Sequence, residues 1–195
     1  MLKINKEEGF TGLEAAIVLI AFVVVAAVFS YVVLGAGFFT TQKSQEVIYT
    51  SVDQASSSVE ILGDVYGTSS DDTNIDTVRF TVGLTAGGSP VDFSQTTITY
   101  ADATNVSKME RAGDAVIGNA DATITSGTWS VVLAKNNASA DLLLENEEQF
   151  TIVANPIDNI VANQRFNLDL RPSVGTSYTI SRKAPARITG VNTLY

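Results

Sequence analysis

The sequence predicts an α+β chain, one long N-terminal α-helix followed by an antiparallel, Ig-like β-sandwich. Three observations carry that expectation. Ala15–Phe39 (AAIVLIAFVVVAAVFSYVVLGAGFF) is a run of 25 residues without a charge. An apolar seam then continues on a polar background as far as Leu62. From Thr77 onward short alternating segments bounded by Gly, Asn, Asp and Pro replace it, which is the pattern of strands and turns.

The uncharged run comes first. As a helix it is about 37 Å long, enough to cross a hydrocarbon core of about 30 Å. Its β-branched residues suit a strand, but strands are far shorter. Beyond it Ile48, Val52, Ala55, Val59 and Leu62 recur at spacings of four, three, four and three, a heptad-like seam on one helical face. Gly63 reads as the stop, and no Pro occurs before Pro90. The expectation is therefore one helix from about Thr11 to Leu62, roughly 80 Å long. Gly35 and Gly37 are its weak points, each costing up to about 1 kcal/mol against Ala. The side chains expected to pack this helix against others are Ile17, Leu19, Phe22, Val25, Phe29, Val33, Ile48, Val52 and Val59.

Residues 63–76, containing GTSSDDTN, read as a linker. Residues 77–195 then form the outer β domain. Its strands are expected around Val78–Leu84, Thr96–Tyr100, Trp129–Val132, Gln149–Ala154, Arg165–Leu170, Ser177–Ser181 and Arg187–Gly190. Trp129, Phe80, Phe150, Phe166 and Leu170 are the expected core, and about 120 residues suffice to bury a modest one.

Composition excludes several functions. There is no Cys and no His, so disulfides, thiol nucleophiles, His-based triads and Cys/His zinc sites are ruled out. The formal net charge of -9 leaves no spare positive charge to displace counterions from nucleic acid. No P-loop, GxSxG or GxGxxG occurs. Glu145, Glu147 and Glu148 cluster, as do Asp71, Asp72 and Asp76, but nothing sets two carboxylates across a pocket. A solvated acidic surface explains both groups. The expectation is a non-enzymatic protein without a cofactor.

The N-terminus adds a processing signal. A secretory peptide places its cleavage site after the apolar core. Here Gly9 precedes that core, in MLKINKEEG-FTGLE, with Glu14 five residues beyond. This leader resembles the class III signal of type IV pilins and archaeal flagellins (archaellins). Bacterial pilins add a Pro about 22 residues into the mature chain, here Tyr31, and a Cys pair. Archaellins resemble the chain over more of its length. They carry a Gly three residues into the mature protein, here Gly12, and an unbroken helix. LLLENEEQFTIVAN (Leu142–Asn155) and QRFNLDLRPSVGTSYTISRKAP (Gln164–Pro185) look like archaellin C-terminal strands.

The resemblance implies a pilin-like lollipop whose leader, residues 1–9, is removed between Gly9 and Phe10 by a prepilin-type peptidase. Residues 10–62 then form a filament core and residues 77–195 its sheath. It implies a structural subunit that polymerises into the archaeal flagellum for swimming, outside the cell. The implied partners are further copies, alone or with related archaellins, the peptidase, a membrane assembly motor, and the membrane before assembly. An archaeal adhesion pilin and a membrane-anchored extracellular domain are the alternatives.

Four smaller features have two readings each. Glu14, by resemblance to pilins, pairs with the amino group of Phe10 in a neighbour, Phe10, Gly12 and Glu14 forming an assembly set; otherwise it is a first-turn acid favoured by the helix dipole. Asn105-Val106-Ser107 and Asn137-Ala138-Ser139 are N-glycosylation sequons, although chance alone supplies about two such matches. Asp72, Asn74 and Asp76 begin like a calcium loop, but Thr77 and Gly83 stand where that loop needs Gly and Glu, so a polar turn fits better. Finally, Arg165, Arg171, Arg182, Lys183 and Arg187 follow one another with one acid, Asp169, among them. They form either a solvated strand edge or a basic face that meets an acidic face of the next subunit.

Overall fold

A computed structural model of the chain describes residues 6–113, 124–137 and 141–195, with side chains from Gly12 onward. It divides into two units, Met1–Thr50 and Ser51–Tyr195.

The described part of the first unit is helix. α1 spans Lys6–Ser56 without interruption, roughly 75 Å at 1.5 Å per residue. It passes through Gly35 and Gly37 as expected. Just after them Thr40 and Thr41 donate their hydroxyls to the carbonyls of Ala36 and Gly37, at 2.8 and 2.9 Å.

The helix ends six residues before the expected Leu62. The reason is the serine run 56–58. Ser57 donates both its N–H (2.9 Å) and its hydroxyl (2.7 Å) to the carbonyl of Asp53, and Ser56 adds its own hydroxyl at 3.3 Å. Serine hydroxyls compete in this way with the helical ladder. The β-branched residues that follow form β1 (Val59–Ile61), paired antiparallel with Val82–Leu84. The spacing of Val59 and Leu62 thus continues the helical seam by coincidence. Gly63 does have positive φ (82°), but it sits between β1 and β2 (Val65–Thr68), within what was expected to be linker.

The remaining strands are β3 (Thr77–Leu84), β4 (Val91–Asp92), β5 (Thr97–Ala101), β6 (Val106–Arg111), β7 (Thr128–Lys135), β8 (Leu143–Leu144), β9 (Gln149–Asn155), β10 (Arg165–Arg171), β11 (Tyr178–Lys183) and β12 (Val191–Leu194). Eight of them and β2 run in the order β11-β10-β5-β6-β7-β9-β3-β2-β12, with β1 also on β3. Pairing is antiparallel except where β6 meets β7. Lys183 and Tyr195 exchange backbone hydrogen bonds of 2.6 and 3.4 Å, so the two end strands of this order meet. The expected sandwich is thus one large, mostly antiparallel sheet bent around a core, which leaves little open edge. Arg187–Gly190 is the turn before β12, not a strand, since Asn192 Oδ1 accepts from the N–H of Thr189 at 2.9 Å.

Period-two alternation places the core. β10 buries Phe166, Leu168 and Leu170 and turns Arg165 and Arg171 outward. Trp129, Phe80, Phe150, Phe166 and Leu170 are all buried, as expected. Phe93 meets Phe150 edge-on at 5.5 Å, and Tyr100 stacks on Phe166 at 6.0 Å. A smaller cluster of Ile124, Val132 and Val153 lies apart from this core.

Candidate functional site

The feature that asks for a partner is α1. From Ile17 to Phe39 the large side chains are exposed all round: Phe22 is 70 % and Phe29 69 % accessible, against 0 % for Trp129. None of this apolar segment is buried within the chain. A helix apolar on every side needs lipid or protein on every side. Ile17, Leu19, Phe22, Val25, Phe29 and Val33 are among these side chains. Shallow apolar grooves run between them, one lined by Val18, Ala21, Phe22 and Val25, another by Val24, Val25, Val28, Phe29 and Val32. Such grooves receive the ridges of a neighbouring helix. Ile48 and Val52 continue as exposed apolar residues in the polar part of the helix. Val59 does not join them; it is buried in the β domain.

Glu14 is exposed at the edge of the apolar run, and Gly12 has open space around it. With the helix starting at Lys6, Glu14 stands more than two turns into it, and about one turn from the N-terminus if the chain begins at Phe10. The Gly9–Phe10 bond lies within the helix; the side chain of Phe10 lies outside the described residues.

Sequence reasoning missed the clasp that receives the helix end. Ser56 Oγ meets Ser89 Oγ at 3.0 Å, Ser58 Oγ meets Thr85 Oγ1 at 3.0 Å, and the Thr176 N–H donates to the Ser57 carbonyl at 3.1 Å. Gly175, at φ 106°, makes this approach possible: a Cβ there would lie 1.9 Å from that carbonyl oxygen. The serine run and the PSVG turn after Arg171 were its only signals.

The other candidates lie in turns and loops of the β domain. Asp71 Oδ1 accepts from the N–H groups of Thr73 (2.9 Å) and Asn74 (3.2 Å), which holds its carboxyl below the usual range. Asp76 Oδ2 accepts both the N–H and the hydroxyl of Ser70, at 2.8 and 2.6 Å. Asp72 takes a positive φ of 57°. The carboxylates of Asp71 and Asp76 close a polar turn, and no group of three metal-binding acids occurs among the described residues. Glu148 is buried, with Oε2 accepting the N–H of Glu145 at 2.8 Å, so it closes its own loop. Asn105 is exposed, its Nδ2 donating to Asp158 Oδ2 at 2.9 Å. Asn137 donates to the Asp141 carbonyl at 2.8 Å; Ala138 and Ser139 of its sequon lie outside the described residues.

The comparisons with known proteins point the same way as the helix. The family model of archaeal-type flagellins matches residues 9–182. The curated Probable flagellin 1 of Archaeoglobus fulgidus is 41 % identical over 95 % of this chain and 94 % of its own. The 24 kDa flagellin of Methanospirillum hungatei is 91 % identical over 32 residues, all of that sequence and 16 % of this one. Among solved structures, the archaeal flagellum of Methanospirillum hungatei strain JF1 superposes with a TM-score of 0.72 at 33 % identity, covering 94 % of this chain and 99 % of that one. A helix left bare on all sides, a bent antiparallel sheet later in the sequence and a family match running through both have one common explanation: the chain belongs to the archaeal-type flagellins.

Proposed function

We propose that this chain is a structural subunit that polymerises into an archaeal flagellum and serves swimming motility. The single observation that carries the reading is the exposed apolar surface of α1. Left in water, roughly fifteen large apolar side chains at about 1.5–3 kcal/mol each would cost tens of kcal/mol. Lipid removes that cost for a precursor held in the membrane. A bundle of identical helices removes it equally well once the subunit leaves. The transfer exchanges one apolar surrounding for another, and the β domain remains outside as sheath.

Release begins with cleavage between Gly9 and Phe10 by a prepilin-type peptidase, which removes residues 1–9 and frees the amino group of Phe10. That amino group and Glu14 of a neighbouring subunit neutralise one another and fix the axial register, with Gly12 leaving room for close approach. A membrane assembly motor adds subunits from below. The interfaces are heterologous and do not close, which is how identical subunits build a helical fibre. Fibres sheared from cells and analysed by N-terminal sequencing should yield subunits beginning FTGLEAAI. Subunits that retain Met1 would overturn the processing step.

A further inference from the structure

Cations outnumber acids on the outward side of β10 and β11. Alternation along β10 turns Arg165, Asn167, Asp169 and Arg171 outward. In the pairing with β11, Arg165 stands directly opposite Lys183. Two like charges opposite one another on a sheet are destabilising, and no ion pair relieves them among the described residues. The nearest acid along β10, Asp169, accepts the Thr179 hydroxyl at 2.6 Å. Lys108 adds a further exposed cation on β6, in a chain whose net charge is -9.

The opposite sign collects elsewhere. Residues 44–78 contain no Lys or Arg. Glu60 of β1 and Asp64, Asp71 and Asp72 around β2 are exposed there. Lys43 pairs with Glu46 at 2.8 Å on α1.

We propose that the outward face of β10 and β11, centred on Arg165 and Lys183, receives the acidic β1–β2 segment of a second copy of this chain. The proposal rests on the filament reading above. Subunits of net charge -9 repel when packed side by side, and a heterologous interface can set one face against a different one. Opposite charges there lower the repulsion, and they fix orientation and register more than they add affinity. The second copy also supplies carboxylates for the Arg165–Lys183 pair, which forms no ion pair among the described residues.

The test reverses each face in cells that make this subunit, with surface filaments counted by electron microscopy. Arg165→Glu with Lys183→Glu should cut filament number about tenfold or more, and so should Glu60→Lys with Asp64→Lys. All four substitutions in one chain should restore it to within about twofold, because both sides of every contact have then changed sign. Either reversal leaving filaments unchanged, or the combined chain failing to recover, overturns the proposal.

A milder pair separates assembly from folding. Arg165→Gln with Lys183→Gln should raise the melting temperature of the unassembled chain, followed by Trp129 fluorescence, yet make filaments shear more easily. A fall in both would overturn the proposal and mark the pair as serving the fold alone. Absence of filaments from unaltered cells would overturn the filament reading itself, and this surface with it.

Discussion

The helix and the β domain use the same apolar residue types and dispose of them in opposite ways. Val25 and Phe29 of α1 are 65 and 69 % exposed, whereas Val78 and Phe80 of β3 are 0 and 1 % exposed. The difference is one of pattern. In β3 an apolar residue alternates with a polar one, so the sheet presents one oily face and can bend to bury it. In α1 the apolar residues cover the whole circumference, so burying them takes apolar partners on every side, and none of the segment is buried within the chain. One region meets its hydrophobic demand within the molecule, and the other passes that demand to lipid or to further copies.

Substitutions should therefore separate cleanly between the two regions. The largest effect expected is from Val25→Asp: a carboxylate in the middle of an apolar helix costs about 2.5–3.5 kcal/mol even on the mildest membrane scale. Filaments should vanish from electron micrographs while thermal unfolding of the β domain is unchanged. Phe80→Ala should do the reverse. Emptying that site costs about 3–5 kcal/mol, seen as a lowered midpoint in denaturant, with the precursor still extracted in the membrane fraction. A smaller loss is expected from Gly175→Ala, which forces a side chain onto the Ser57 carbonyl at a positive φ. Strain of about 1–3 kcal/mol should lower the melting temperature and loosen the clasp, measurable as faster amide exchange at Ser57 and Thr176.

The smallest effect concerns pH. Asp102 accepts from the N–H and hydroxyl of Thr104 and the N–H of Asn105 at 2.7–2.8 Å. These bonds, the Thr104 N–H foremost, hold its carboxyl below the usual range. The ionised form is thus favoured by folding. Its contribution is complete above the unfolded value of about 3.9 and fades as pH falls through the lower folded one. Asp102→Asn should cost up to about 1 kcal/mol at neutral pH and narrow the gap in melting temperature between pH 7 and pH 3. An unchanged gap would deny the carboxylate that role.

Much of this was legible in the residues. The uncharged run, the alternation of β3, β9 and β10 and the five core aromatic and aliphatic side chains follow from periodicity alone. The end of the helix did not. Val59 and Leu62 keep the helical spacing, and their departure is decided by hydroxyls of Ser56 and Ser57 and by pairing with β3, a long-range partner. Short strands were missed for a similar reason: β4 and β8 have two residues each, too few to show a period. The Gly175 clasp and the Arg165–Lys183 pairing depend on which loops and strands meet in space, which spacing along the chain does not encode.

The absence of Cys makes the central claim directly measurable, because a single introduced thiol is the only one in the molecule. Val25→Cys on the helix and Ile157→Cys in the exposed loop after β9 should be challenged with a membrane-impermeant maleimide in intact filaments. The expected result is full labelling at position 157 and protection at position 25, with reaction at 25 appearing only after the fibre is dissociated. Rapid labelling of position 25 in intact filaments would mean that the apolar helix is not the buried core of the fibre.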